Sequence, residues 1–116
     1  MAWRDEINSI CEALPGAERS DPWGGGHDCW KIAGKMFALL GMEPGVSVKC
    51  PDIETAEFLR DTTAAQRAPY FHCSWVRLPE GTDLGEAAHR IHVSFGLIRS
   101  GLTKKLQASL PVWEGR

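Results

Sequence analysis

The run WKIAGKMFALLG, residues 30–41, constrains the fold of this 116-residue chain more than any other stretch. Two apolar segments flank Gly34-Lys35, and glycine supplies the positive φ that a tight antiparallel turn needs. A Met-Glu-Pro-Gly turn follows at 42–45, and then a third apolar run, VSVKC. The spacing predicts three consecutive antiparallel strands at about 28–33, 36–41 and 46–50. The pattern dictates architecture and carries no chemistry of its own.

The rest of the chain extends that architecture. Trp3, Ile7, Ile10, Cys11 and Leu14 recur at steps of three and four, one face of an amphipathic helix that Pro15-Gly16 ends. Pro51-Asp52 opens a short helix in which Ile53, Ala56 and Leu59 face the core, with Glu54 near its positive end. Residues 62–68 read as a connector, and 69–73 (PYFHC) and 74–78 (SWVRL) have strand composition. Thr82 or Asp83 caps a last long helix, striped by Leu84, Ala87, Ala88, Ile91, Phe95, Ile98 and Leu102. Gly101 ends it, and Thr103 caps a further turn or two before Pro111. The order is α-β-β-β-α-β-β-α. Hairpin-linked strands without strand–helix–strand alternation predict a two-layer α+β fold. Its antiparallel sheet has about five strands, with helices on one face and the other face open. The chain reads as one domain, 1–116, with a C-terminal extension from about 106.

Composition narrows the function classes. A 43% hydrophobic content suffices for one core, and the net charge of −2 gives no global attraction to nucleic acid or anionic membranes. No apolar run approaches the roughly 20 residues that span a bilayer. The N-terminal MAWRDEINSI has acids where a signal peptide has a basic region, so the chain is expected to be cytoplasmic. Cys11, Cys29, Cys50 and Cys73 form no C-x-x-C pair and read as small core hydrophobes, not as a zinc or redox site.

Charge is unevenly spread. Residues 1–30 hold two bases and six acids, whereas 31–50 hold three bases and one acid, and 93–116 four bases and one acid. Strand alternation sorts these further. Trp30 and Ile32 point away from Lys31, Val46 and Val48 away from Lys49, and Val76 and Leu78 away from Trp75 and Arg77. If the aliphatic sets meet the helices, Lys31, Lys49, Trp75 and Arg77 share the open face. Three cations and an indole there suit phosphates and a stacked base; a merely solvated face is the commoner reading of such residues.

The histidines carry less. His89 and His92 have i, i+3 spacing on the last helix, but nothing local supplies further ligands, so no metal site is expected. His27-Asp28-Cys29 and His72-Cys73 place neighbours on opposite strand faces and form no catalytic dyad. The triple glycine at 24–26 lacks the lysine and helix start of a phosphate loop and reads as a flexible lead into the first strand, or a mobile lid. Val93 and Leu97 lie opposite the core stripe, to be covered by the tail residues Leu106, Leu110, Val112 and Trp113 or by a protein partner.

The chain resembles the MmcQ/YjbR family, small bacterial proteins with a double-wing DNA-binding fold. The matching pieces are LPG at 14–16, WG at 23–24, GKMFAL at 34–39, VKCP at 48–51, APY at 68–70, WV at 75–76, SF at 94–95 and GLTKK at 101–105. They occur in the family's order over about residues 7–110. The GGGHD run at 24–28 has more glycines than many members. The resemblance implies the fold, a DNA-binding-like role without enzymatic activity, no catalytic motif and no cofactor. Together with the residue pattern it nominates Lys31, Lys35, Lys49, Arg77, Lys104 and Lys105 as phosphate contacts and Trp75 as a stacking residue. The alternatives are a protein-interaction adaptor similar to small secretion chaperones, and a small-ligand binder.

Overall fold

The computed structural model describes residues 2–113 as α1 (Trp3–Glu12), β1 (Glu18–Ser20), β2 (Asp28–Ile32), β3 (Lys35–Leu40), β4 (Val46–Lys49), α2 (Ile53–Thr62), β5 (Gln66–Arg67), β6 (Trp75–Leu78), α3 (Leu84–Ser100) and α4 (Lys104–Ser109). One antiparallel sheet runs β1-β2-β3-β4-β6-β5, and the helices pack on one side of it. This is the two-layer α+β arrangement expected from the sequence. The last three residues of the expected extension, 114–116, lie outside the described residues.

The differences are local. The sheet has six strands, because β1 joins the edge of β2 and the connector contributes β5. Residues 69–73 are a turn, not a strand. The hairpin turn is Ala33-Gly34, with φ of 50° and 81°, and Lys35 already starts β3. Positive φ at both central residues matches the twist of the flanking strands, which is why this turn class dominates two-residue hairpins. In α2, Ala56 and Leu59 are buried as expected, but Ile53 is 41% exposed.

A bulge in β3 shapes everything that follows. Trp30 pairs with Ala38 and Lys31 with Met36, so Phe37 stands outside the ladder. Phe37 turns into the core, edge-on to Phe95 of α3 with ring centroids 5.1 Å apart. The bulge also breaks simple alternation, leaving Met36 and Leu39 on the same, open side. On the next rung Phe37 would face Lys49, and there the Ser94 hydroxyl of α3 sits between the strands. It donates to the Phe37 carbonyl (2.6 Å) and accepts from the Lys49 N–H (2.9 Å).

Helix capping follows the sequence. The Asp52 carboxylate accepts from Thr55 N, Asp83 from Glu86 N, and the Thr103 hydroxyl from Leu106 N. Leu110 and Trp113 then return to the core. Trp113 lies edge-on to Phe95, over Gly96, where a Cβ would come within 2.9 Å of its ring. The tail therefore folds back on Phe95 and Gly96, while Val93 and Leu97 are half-buried and Val112 is exposed.

Candidate functional site

The side of the sheet away from the helices carries an open cleft of about 460 Å³ lined by Trp23, His27, Met36, Leu39, Pro69, Tyr70 and Phe71. It continues past Met42, Glu43 and Ser47 to Arg77. The floor is β3 and β4. One wall is the glycine-rich segment between β1 and β2, and the other is the turn between β5 and β6.

The glycine-rich wall is held by hydrogen bonds, in contrast to the flexible lead expected from its composition. The Asp21 carboxylate accepts from the backbone N–H groups of Gly25 (3.3 Å), Gly26 (3.0 Å) and His27 (3.3 Å). Gly24 and Gly26 have φ of 64° and 83°, which bend the chain around that carboxylate. Desolvation alone would raise the Asp21 pKa; the donated hydrogen bonds and the His27 charge outweigh it and hold it below the ordinary carboxylate value. Behind the wall, Arg4 of α1 donates to Gly26 O, Leu40 O, Gly41 O and Asp28. Asp28 also accepts from Asn8 and Arg19. The result is that His27 sits edge-on to Trp23, with centroids 5.0 Å apart, and Trp23 stays 58% exposed at the cleft.

The opposite wall is the turn Ala68-Pro69-Tyr70-Phe71, closed by Phe71 N donating to Ala68 O. Proline stands second and a residue of positive φ third, the type II pattern, but the third residue is Tyr70 (φ 70°) where glycine is usual. Its side chain is fully exposed. Phe71 stacks on Trp75, centroids 4.3 Å apart and planes 19° from parallel. Below the turn, His72 Nδ1 lies 2.8 Å from the Ser74 hydroxyl, which accepts from Lys49 Nζ at 3.2 Å.

The nominated residues fall into three groups. Lys31, Lys49, Trp75 and Arg77 lie on the open side, as alternation implied. Lys31 is half-exposed beside Glu18, its partner on β1. The Lys49 ammonium is engaged by Ser74, and the Arg77 guanidinium by Gln66 (2.8 and 3.2 Å) and Glu43 (3.0 Å). Trp75 is only 8% exposed, its ring already taken by Phe71. Lys35 is exposed at the hairpin turn. Lys104 and Lys105 are exposed on α4, in the helical layer, apart from the open-side set. Trp23, Tyr70 and Phe71, which sequence reasoning assigned to a loop and a strand, are the aromatic groups that line the cleft. The one sequence signal for Tyr70 was its position after Ala-Pro, where a turn calls for glycine.

The remaining polar chemistry is sparse. No group of three or more His, Cys, Asp or Glu that could hold a metal ion occurs among the described residues. The cysteines are free, and burial raises the thiol pKa of Cys11, to about 12, and of Cys29 and Cys50. No described helix is long and apolar enough to cross a membrane.

Comparison with known proteins agrees with the architecture. The crystal structure of the Deinococcus radiodurans protein DR2400, with a DUF419 domain, superposes with a TM-score of 0.83 at 21% identity, covering 100% of this chain and 96% of that one. At that identity the likeness concerns the fold alone. No curated protein sequence matches significantly. The YjbR family model matches residues 12–97, from the end of α1 through most of α3 and so across the whole sheet and both cleft walls; the chain belongs to the YjbR family.

Proposed function

We propose that this chain is a non-enzymatic binding module that holds nucleic acid on the open side of its sheet. The observation that carries the reading is the composition of that side: a cleft edged by the aromatic rings of Trp23, Tyr70 and Phe71, with Lys31, Lys49 and Arg77 on the same surface. Aromatic faces and cations are what bases and phosphates require. Family membership supports it, through the DNA-binding-like fold that the resemblance implies. Glu18 and Glu43 offset part of the positive charge, so binding is weak, independent of sequence and strong only at low salt.

Lys31 is the cation to test, because reversing Arg77 or Lys49 would also break Gln66, Glu43 and Ser74 contacts, and Lys35 stands opposite Ile32 on the helix side of β3. In a low-salt anisotropy titration, Lys31→Glu weakens binding while the melting temperature holds, and Lys35→Glu, on the other face of β3, leaves binding unchanged. With about three phosphates neutralised, log K falls with log salt at a slope of roughly −2 on a single strand. Absence of binding by the unaltered protein at low salt removes the reading at its first step.

A second reading, a protein-interaction adaptor, is favoured by the exposure of Met42 (74%) at the same cleft. A salt-insensitive pull-down partner that the Lys31 reversal does not release supports it.

A further inference from the structure

Tyr70 carries two costs at once. Its backbone is left-handed, a conformation disfavoured for any residue with a Cβ, at the third position of a turn that glycine would fill without strain. Its ring is fully exposed, so no packing within the described residues offsets that strain. Strain at an exposed aromatic residue on a cleft wall, offset by no packing of its ring, is an outlier from which a role toward a ligand can be inferred. Across the cleft Trp23 is likewise exposed, although the Asp21 clasp, the Arg4 bonds and the His27 contact hold its loop in place. The floor between them, Met36 and Leu39, is apolar and exists only because the Phe37 bulge puts both on one side.

We infer that Trp23 and Tyr70 are the stacking walls of a subsite for an unpaired base, so that the protein prefers single-stranded to double-stranded nucleic acid. The inference rests on the nucleic-acid reading above. In a duplex the base faces are buried in the stack, and rings walling a cleft cannot reach them; a single strand offers each base as a flat apolar plate. The cations on that side, Lys31, Lys49 and Arg77, outnumber the two acids beside them, Glu18 opposite Lys31 and Glu43 paired with Arg77, and this balance favours a strand with phosphates over an apolar peptide. Trp75, packed under Phe71, supports the wall from beneath and takes no base itself.

The test is anisotropy of a labelled oligothymidylate and of a duplex of equal length, at low salt, with Trp23→Ala, Tyr70→Asn, Tyr70→Gly and Tyr70→Phe. The unaltered protein binds the single strand at least ten-fold more tightly than the duplex. Trp23→Ala, Tyr70→Asn and Tyr70→Gly each weaken single-strand binding roughly 5- to 150-fold, the range for losing one base–aromatic stack. Tyr70→Phe keeps the ring and the affinity. Tyr70→Gly and Tyr70→Asn do not lower the melting temperature, because both residues tolerate the left-handed backbone; this separates lost binding from lost folding. Equal affinity for the two forms, or unchanged affinity in the Trp23 and Tyr70 variants, overturns the subsite while leaving nucleic-acid binding intact. Binding of neither form overturns both. Capture of an aromatic peptide with the Trp23 and Tyr70 dependence expected for the oligonucleotide, and no oligonucleotide binding, assigns the cleft to a protein ligand and overturns the proposal.

Discussion

Ser94→Ala tests whether the bulge in β3 is held from above by α3. Ser94 is completely buried, and its hydroxyl makes two hydrogen bonds, both to backbone groups of strands that part at this rung. Alanine leaves the Phe37 carbonyl and the Lys49 N–H facing a small apolar space. A buried polar group without its partner costs about 1–3 kcal/mol. Two such groups give roughly 2–6 kcal/mol, from which the better helix propensity of alanine returns about 0.5 kcal/mol, and partial closure of the strands a similar amount. The expected loss is about 1–5 kcal/mol. At about 2.1 cal/mol/K per residue, unfolding this chain carries roughly 0.24 kcal/mol/K, so the melting temperature falls by about 4–20 °C. Calorimetry reads this directly. Amide exchange at Lys49 gives the local check, because its N–H loses its one partner from α3 and should exchange faster than its neighbours in β4. A melting temperature within about 2 °C of the unaltered protein, with Lys49 still protected, refutes the reasoning. It would mean that β3 and β4 zip together directly once the hydroxyl is gone.

Three further outcomes follow from the same geometry. Burial alone would raise the Asp28 pKa, but the hydrogen bonds from Arg19, Asn8 and Arg4 outweigh it and the net direction is down. Its contribution to stability is therefore full above the ordinary value of 3.8 and is lost as pH falls through the lower folded value. Asp28→Asn should lower the melting temperature at pH 7 and flatten its fall below pH of about 4; an unchanged acid limb contradicts the assignment. Cys11, Cys29 and Cys50 are at most 1% exposed, so iodoacetamide on the native protein should modify Cys73 alone, and all four cysteines after unfolding, as mass spectrometry would count. Ala33→Asn places a residue that tolerates φ of 50° beside Gly34 and should stabilise the hairpin by about 0.5–1 kcal/mol; a lower denaturation midpoint would show that the turn is not of the assumed class.

What the sequence made legible, and what it hid, follows from how each feature is encoded. The β2–β3 hairpin was readable because a glycine and two alternating runs specify it locally, and the inward set Trp30, Ile32, Val46, Val48 and Val76 is buried as alternation requires. The bulge was not readable. Met36, Phe37, Ala38 and Leu39 are all apolar, so any register buries a hydrophobic residue, and only the fit of Phe37 to Phe95 chooses among them. β1 is three polar or charged residues with no period to detect. PYFHC has the aromatic content of a strand, yet Pro69 fixes a turn and the aromatics serve the surface rather than a sheet. Alternation placed Trp75 on the correct side of β6 but could not report that Phe71, four residues earlier, would lie on it. The cleft itself is assembled from three segments, 23–27, 36–39 and 69–71, each of which alone looks like an ordinary loop, core strand or edge. Its visibility depends on a mismatch: Tyr70 occupies the position where turn chemistry asks for glycine, and Trp23 is exposed on a loop that hydrogen bonds to Asp21 and Arg4 tie down. A sequence scan that flags bulky residues where the backbone wants glycine would have found Tyr70. Nothing local would have found its partner across the sheet, because that proximity is created by the order β2-β3-β4-β6, which only the folded chain displays.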